Sequence, residues 1–136
     1  MFRTVVLVVA LASCHGSWSD RDRLDPVVAA VRARVTAPGR YRFQLDASLD
    51  PGSLVPVPSD AIMGRGDGRG RVRALVTATQ KLAVSIEISD HGHAGEEGYL
   101  YRDPGITDDE LEGTRLDSQH ETRIDDHWVR WTYDLD

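Results

Sequence analysis

Between Arg40 and Leu135 the chain repeatedly places apolar residues at every second position, and no other feature constrains its fold as strongly. Successive side chains of a strand point to opposite faces, so a period of two marks a surface buried on one side. Arg40 to Asp46 alternates cleanly, with Tyr41, Phe43 and Leu45 expected inward and Arg40, Arg42 and Gln44 outward. Val72–Thr79 and Leu82–Ser89 read as a hairpin, with Val72, Ala74, Val76 and Ala78 on one face of the first strand and Leu82, Val84, Ile86 and Ile88 on one face of the second. Gln80-Lys81 makes its turn without a glycine. A short strand is expected at Tyr99–Arg102 and a long one at His127–Leu135, where Val129, Trp131, Tyr133 and Leu135 share a face. Trp128 and Trp131, three apart on a strand, then point to opposite faces. Trp131 is expected inside with Tyr133, and Trp128 on the far face.

One segment ahead of these strands has a helical period instead. Leu24, Val27, Val28, Val31 and Val35 form one stripe, and Asp25-Pro26 predicts the start, with Asp25 as N-cap and Pro26 in the first helical position. Pro38-Gly39 predicts the end. Between the strands, Asp50-Pro51-Gly52 and Asp103-Pro104-Gly105 read as turns, and Pro56-Val57-Pro58 excludes a central strand. Ser59 to Met63 is expected to form one helical turn, and Thr107-Asp108-Asp109-Glu110 fits a capping box for a short helix through Glu112. Residues 113–126 carry no readable pattern. The sum is an α+β domain: an N-terminal helix packed on a twisted antiparallel sheet of about five strands. Cystatin-like and related small envelope domains share this order of elements, a likeness of fold that implies no function.

The first fourteen residues stand apart from the domain. Arg3 and the amino terminus give a short positive start, Val5 to Ala12 is an unbroken apolar run, and Leu11-Ala12-Ser13-Cys14 ends it at the only cysteine. This resembles the signal peptide and lipobox of a bacterial lipoprotein. The resemblance covers these residues alone. It implies a diacylglyceryl group on the Cys14 thiol, cleavage just before Cys14, and a membrane partner reached through that lipid. The organisation it implies is a signal peptide over 1–13, a lipidated cysteine and flexible tether over 14–23, and one globular domain over 24–136. Two or three acyl chains hold firmly, because each buried methylene contributes about 0.8 kcal/mol. A spanning helix needs about 20 apolar residues, which this run lacks. A secretory signal followed by a free thiol leaves the position of the cysteine unexplained. Asp after the cysteine is the family's inner-membrane retention signal. His15 stands there, which in a cell with two membranes implies the outer one. Trp18 interrupts the tether and either rests at the membrane interface or docks on the domain.

Lipidation of Cys14 leaves no thiol for a disulfide or a cysteine-based zinc site. The formal charge of −6 is unevenly placed: residues 1–86 hold twelve bases and seven acids, residues 87–136 four and fifteen. An acidic chain of this kind is a poor nucleic-acid binder, since phosphate neutralisation is the main source of that affinity. The two halves are expected to neutralise each other across one domain, with an acidic surface for cations or a basic partner as the alternative.

Chemistry, if present, falls to histidines and carboxylates. Asp90-His91-Gly92-His93-Ala94-Gly95-Glu96-Glu97 gathers two imidazoles and three side-chain acids near a strand end, with Asp125-Asp126-His127 and His120-Glu121 further on. Imidazole and carboxylate suit a divalent ion such as zinc, so a metal site on His91, His93, Glu96 and Asp126 is the alternative to a solvated loop. Meeting of the two clusters at one sheet end would strengthen that reading. The spacing matches no H-E-x-x-H or H-x-H-x-D-H motif. Gly64 to Gly70 carries a glycine at every second position but no phosphate-loop motif, and an anion site on Arg65, Arg69 and Arg71 competes with a solvated loop. The Arg65-Gly66-Asp67 tripeptide is common by chance in such a sequence. No serine-nucleophile signature is present, and nothing demands an enzyme. In Gly92-His93-Ala94-Gly95, Asp126-His127-Trp128 and Tyr133–Asp136 the chain is similar to bacterial proteins of no assigned function, which implies no activity. The expectation is a lipid-anchored, non-enzymatic envelope protein without a cofactor, binding an envelope protein, a cell-wall component or a small ligand; the alternative is a divalent-metal-binding protein or metal-dependent enzyme using the loop 90–97 with 125–127.

Overall fold

The computed structural model describes residues 21–58, 69–90, 96–112, 116 and 120–133, with the side chains of Ser89 and Asp90 excepted. The leader, Cys14, His15, Trp18, the 59–63 turn, Arg65 to Asp67, His91, His93 and Leu135 lie outside the described residues.

The fold is a single antiparallel sheet with one long helix, α1 (Arg21–Arg34), on one face. Its strands are β1 (Gly39–Gln44), β2 (Val55–Pro56), β3 (Arg71–Val76), β4 (Leu82–Asp90), β5 (Glu96–Arg102), β6 (His120–Arg123) and β7 (Trp128–Tyr133). They lie in the order β2-β1-β3-β4-β5-β7-β6. The α+β expectation holds, but the sheet has seven strands rather than five. The two unanticipated strands are the edges. The Val55–Pro56 pair is too short to show alternation, and His120-Glu121-Thr122-Arg123 is polar and fully exposed, with no apolar period to read.

α1 buries the anticipated stripe: Leu24, Val27, Val28, Val31 and Val35 are at most 6% exposed. It packs on Phe43, Leu45, Val72, Ala74, Val76, Leu82, Val84, Ile86 and Tyr99. The helix starts ahead of Asp25-Pro26, so Arg21 to Arg23 are helical rather than part of a tether. Pro26 therefore lies inside α1, where it removes one backbone bond at an exposed position. Asp25 is not a cap. Its carboxylate accepts the Trp128 indole N–H at 3.0 Å and meets Arg21 at 3.3 Å, tying the helix to β7.

Both tryptophans are buried, which corrects the expected placement. Trp128, fully buried, belongs to the core under the helix, and Tyr133 is 46% exposed. Trp131 faces a second core with Leu75, Ala83, Leu100, Ile106, Leu111 and Leu116. The topology supplies the reason. β7 lies beside β5, so the connection leaving β5 must pass β7 to reach β6 at the edge. It carries Ile106, the single-turn helix α2 (Asp108–Leu111) and Leu116 over the face away from α1.

Two turns place this connection. Pro104-Gly105 forms a type II turn, with Gly105 at φ +90° and the Ile106 N–H directed at the Asp103 carbonyl at 3.4 Å. The capping box forms as expected. The Thr107 side chain accepts from the Glu110 N–H at 3.3 Å, and Glu110 accepts from the Thr107 N–H at 3.0 Å. Gly98 has a packing role, since a Cβ there would overlap the Ile86 carbonyl and lie 2.6 Å from the Trp131 ring. Only glycine lets that indole lie across β5. Among the described residues no helix is long and apolar enough to cross a membrane.

Candidate binding cleft at the sheet end

Where β5 leaves the sheet and β7 enters it, an open cleft of ≈410 Å³ lies between the Arg102–Ile106 turn and the β6–β7 hairpin. Its walls hold Arg102, Asp103, Glu121, Arg123, Asp125, Asp126 and His127, with Ile106 and Val129 as the apolar part. Two segments distant in sequence build it.

Asp125 organises the hairpin wall. Its Oδ1 accepts the backbone N–H of His127 and of Trp128, both at 2.8 Å, and its Oδ2 meets Arg21 at 2.9 Å. An aspartate folding back on N–H groups two and three residues on is a turn former, and the sequence is legible as such only afterwards. It fixes His127, whose ring stacks on Tyr101 at 5.7 Å with planes 17° apart. Trp128 meets the same tyrosine edge-on at 5.5 Å. The His127 Nδ1 lies 3.4 Å from the Arg102 carbonyl, an acceptor to which a protonated Nδ1 can donate.

Asp103 anchors the opposite wall to the helix. Its carboxylate takes Arg32 at 2.7 Å, the Tyr101 hydroxyl at 2.9 Å and the Leu82 N–H at 2.8 Å. Partial burial pushes the Asp103 carboxyl up, but these donors together hold it below the usual aspartate range. The same pairing, led by the Asp103 hydrogen bond, raises Arg32 above its ordinary value. Burial raises Tyr101, and its donation to Asp103 adds to the effect. Arg32 also lies over the Tyr101 ring, 5.9 Å from its centroid.

The outer rim is different in kind. Arg123 and Asp126 pair at 2.7 Å while 73% and 86% exposed, and Arg102 meets Asp108, 93% exposed, at 3.2 Å. Exposed pairs contribute about 0–1 kcal/mol, so a ligand group can displace Asp126, Arg123 or Asp108 at little cost, while Arg102 is also held by the Ile106 carbonyl at 3.0 Å. The cleft thus combines a fixed imidazole, two guanidiniums and exchangeable carboxylates, a set suited to a ligand bearing both signs of charge.

Two of the four residues expected to hold a metal, Glu96 and Asp126, are not brought together. Glu96 pairs with Tyr133 and Tyr101 with Trp128, so Glu96 and Asp126 lie at opposite ends of the β5–β7 ladder. Five residues of strand separate those pairs, roughly 16 Å. A single ion binding its ligands at about 2 Å cannot span that gap. The separation arises because β7 adjoins β5 and enters the sheet at the end away from Glu96. His91 and His93 are outside the described residues, among which no group of three or more His, Cys, Asp or Glu is placed to hold a metal.

The arginine-based anion site fares similarly. Arg69 donates to the backbone carbonyls of Ala47 at 2.5 Å and Ile88 at 2.9 Å, clamping two segments together. Arg71 lies 3.6 Å from the buried Glu87 carboxylate, and Arg65 is outside the described residues. Arg102 and Asp103 were missed as site residues because a turn and a strand end carry no shared spacing with 121–127. Comparison with protein families, with curated proteins and with solved structures yields no match.

Proposed function

We propose that this chain is a lipid-anchored protein of the bacterial envelope, held to its membrane through Cys14, whose domain binds a ligand or partner in the sheet-end cleft. The observation that carries the reading links its two halves. Arg21, seven residues after Cys14, is ion-paired to Asp125 on the cleft wall. Seven residues reach at most about 25 Å, so a lipid on Cys14 keeps the cleft close to the membrane surface. The domain acts by binding rather than catalysis, with a ligand that carries both positive and negative groups, as cell-wall peptides do. A cleft of this size falls in the range of small-ligand sites, about 300–1,000 Å³.

The test is a titration of the isotope-labelled full chain in detergent with soluble cell-wall fragments bearing their peptide stems. The expected result is a saturable set of amide shifts confined to Arg102–Ile106 and Glu121–Val129, weakened at least about tenfold by Arg123→Ala with Asp126→Ala. Shifts centred elsewhere, or none at millimolar ligand, would overturn the cleft as the binding site.

A further inference from the structure

The two edges of the sheet are built differently. β2 has two residues, and Pro56 and Pro58 deny an incoming strand the N–H groups it would need there. β6 has four residues, all exposed, without proline or glycine, and among the described residues no strand lies beyond it. Charged side chains often protect such an edge, but here the charges are of opposite sign and sit on one face.

The register with β7 fixes that face. Glu121 and Arg123 stand opposite Trp131 and Val129, while His120 and Thr122 stand opposite Thr132 and Arg130. In an antiparallel pair, directly opposed residues share a sheet face. Two copies of β6 joined edge to edge are related by a two-fold axis perpendicular to the sheet, and sidedness then requires the axis to pass through a residue. Only four centres exist within the strand. An axis at Glu121 opposes two glutamates, one at Arg123 two arginines, and one at His120 two imidazoles. An axis at Thr122 opposes Glu121 to the partner's Arg123, and Arg123 to the partner's Glu121, with the two threonines facing each other.

We infer that β6 is a self-association edge, pairing with β6 of a second copy of this chain about Thr122 to make one continuous sheet. His120 and Glu121 already have interactions within the chain, and Arg123 pairs with Asp126, so association redistributes these contacts at exposed positions. Four residues of strand bury less than the roughly 1,000 Å² of a lasting soluble dimer, so the pairing is weak in free solution. A common anchor in one membrane would raise the local concentration. That last point rests on the lipid reading, but the pairing does not.

Charge reversal tests it by sedimentation equilibrium of the full chain in density-matched detergent. Wild type is expected to shift towards dimer mass as concentration rises. Glu121→Arg opposes arginines at both contacts and Arg123→Glu opposes glutamates, so each alone should weaken association at least about tenfold. The double reversal E121R/R123E should restore it. A mixture of the two single variants should form mixed dimers in preference to either alone, which misfolded variants would not do. Wild type that stays monomeric at the highest concentration, or reversals and mixtures that behave like wild type, would overturn the proposal. Neither a cleft ligand nor acylation of Cys14 enters the measurement, so its failure leaves the binding reading standing and the reverse.

Discussion

Single residues hold this domain together across its layers more than its loops do. Asp103 is the clearest case, since one carboxylate serves the helix through Arg32, the strand β4 through the Leu82 N–H, and Tyr101 within β5. Replacing it by Asn keeps the shape but removes the charge from three donors, and hydrogen bonds to charged groups contribute about 1.5–3 kcal/mol. Arg32 is half-exposed, which lowers its share. Asp103→Asn is therefore expected to destabilise by about 1–2 kcal/mol at neutral pH in urea unfolding. The pH dependence has a definite sign. The folded carboxyl lies below its ordinary value of 3.8, so its contribution is complete above that value and lost as pH falls through the folded one. The gap between wild type and variant should narrow on acidification below about pH 4. A gap that stays constant down to pH 2 would contradict the pairing.

At the scale of elements, what was legible in the sequence follows from periodicity. The helix stripe Leu24–Val35, the β1 alternation and the β3–β4 hairpin each bury one face against the main core, and a one-sided burial writes a period into the sequence. The edges β2 and β6 bury little and leave no such trace. Trp128 and Trp131 were placed on opposite faces correctly but assigned to the wrong environments, because the second face of the sheet is covered too. Its cover, Ile106, Leu111 and Leu116, comes from a connection whose path depends on strand order, which no local pattern encodes. The cleft was half legible. Asp125-Asp126-His127 was noticed, but its companions Arg102 and Asp103 meet it only through the β5–β7 pairing. The hairpin turn adds a point that the sequence left open. The Gln80 N–H donates to the Thr77 carbonyl at 2.9 Å, and Gln80 itself sits at φ +68°. A left-handed conformation costs a non-glycine residue about 1–2 kcal/mol, offset in part by the greater chain entropy that glycine loses on folding. Gln80→Gly is expected to raise stability by about 0.5–1 kcal/mol, read as a higher urea midpoint with an unchanged slope. A lower midpoint would show that the glutamine side chain contributes at the turn.

For the whole molecule, the sequence of constraints runs from one end of the chain to the other. Cys14 is the sole thiol, and its lipidation would leave a domain held without disulfides by two cores, one on each face of a single sheet, and by polar ties such as that of Asp103. The helix that begins the domain is pinned to the cleft by Arg21 and to β7 through Asp25. If the proposed anchor holds, the cleft beside it and the edge strand β6, beyond which no strand lies among the described residues, fit a protein that holds other molecules at a membrane surface. The mass spectrum of the mature protein extracted from its own membranes tests the proposed anchor. The expected chain begins at Cys14 and carries a diacylglyceryl group there, with Cys14→Ser appearing uncleaved or in the soluble fraction. A chain that retains Met1, or that starts elsewhere with an unmodified thiol at Cys14, would contradict it.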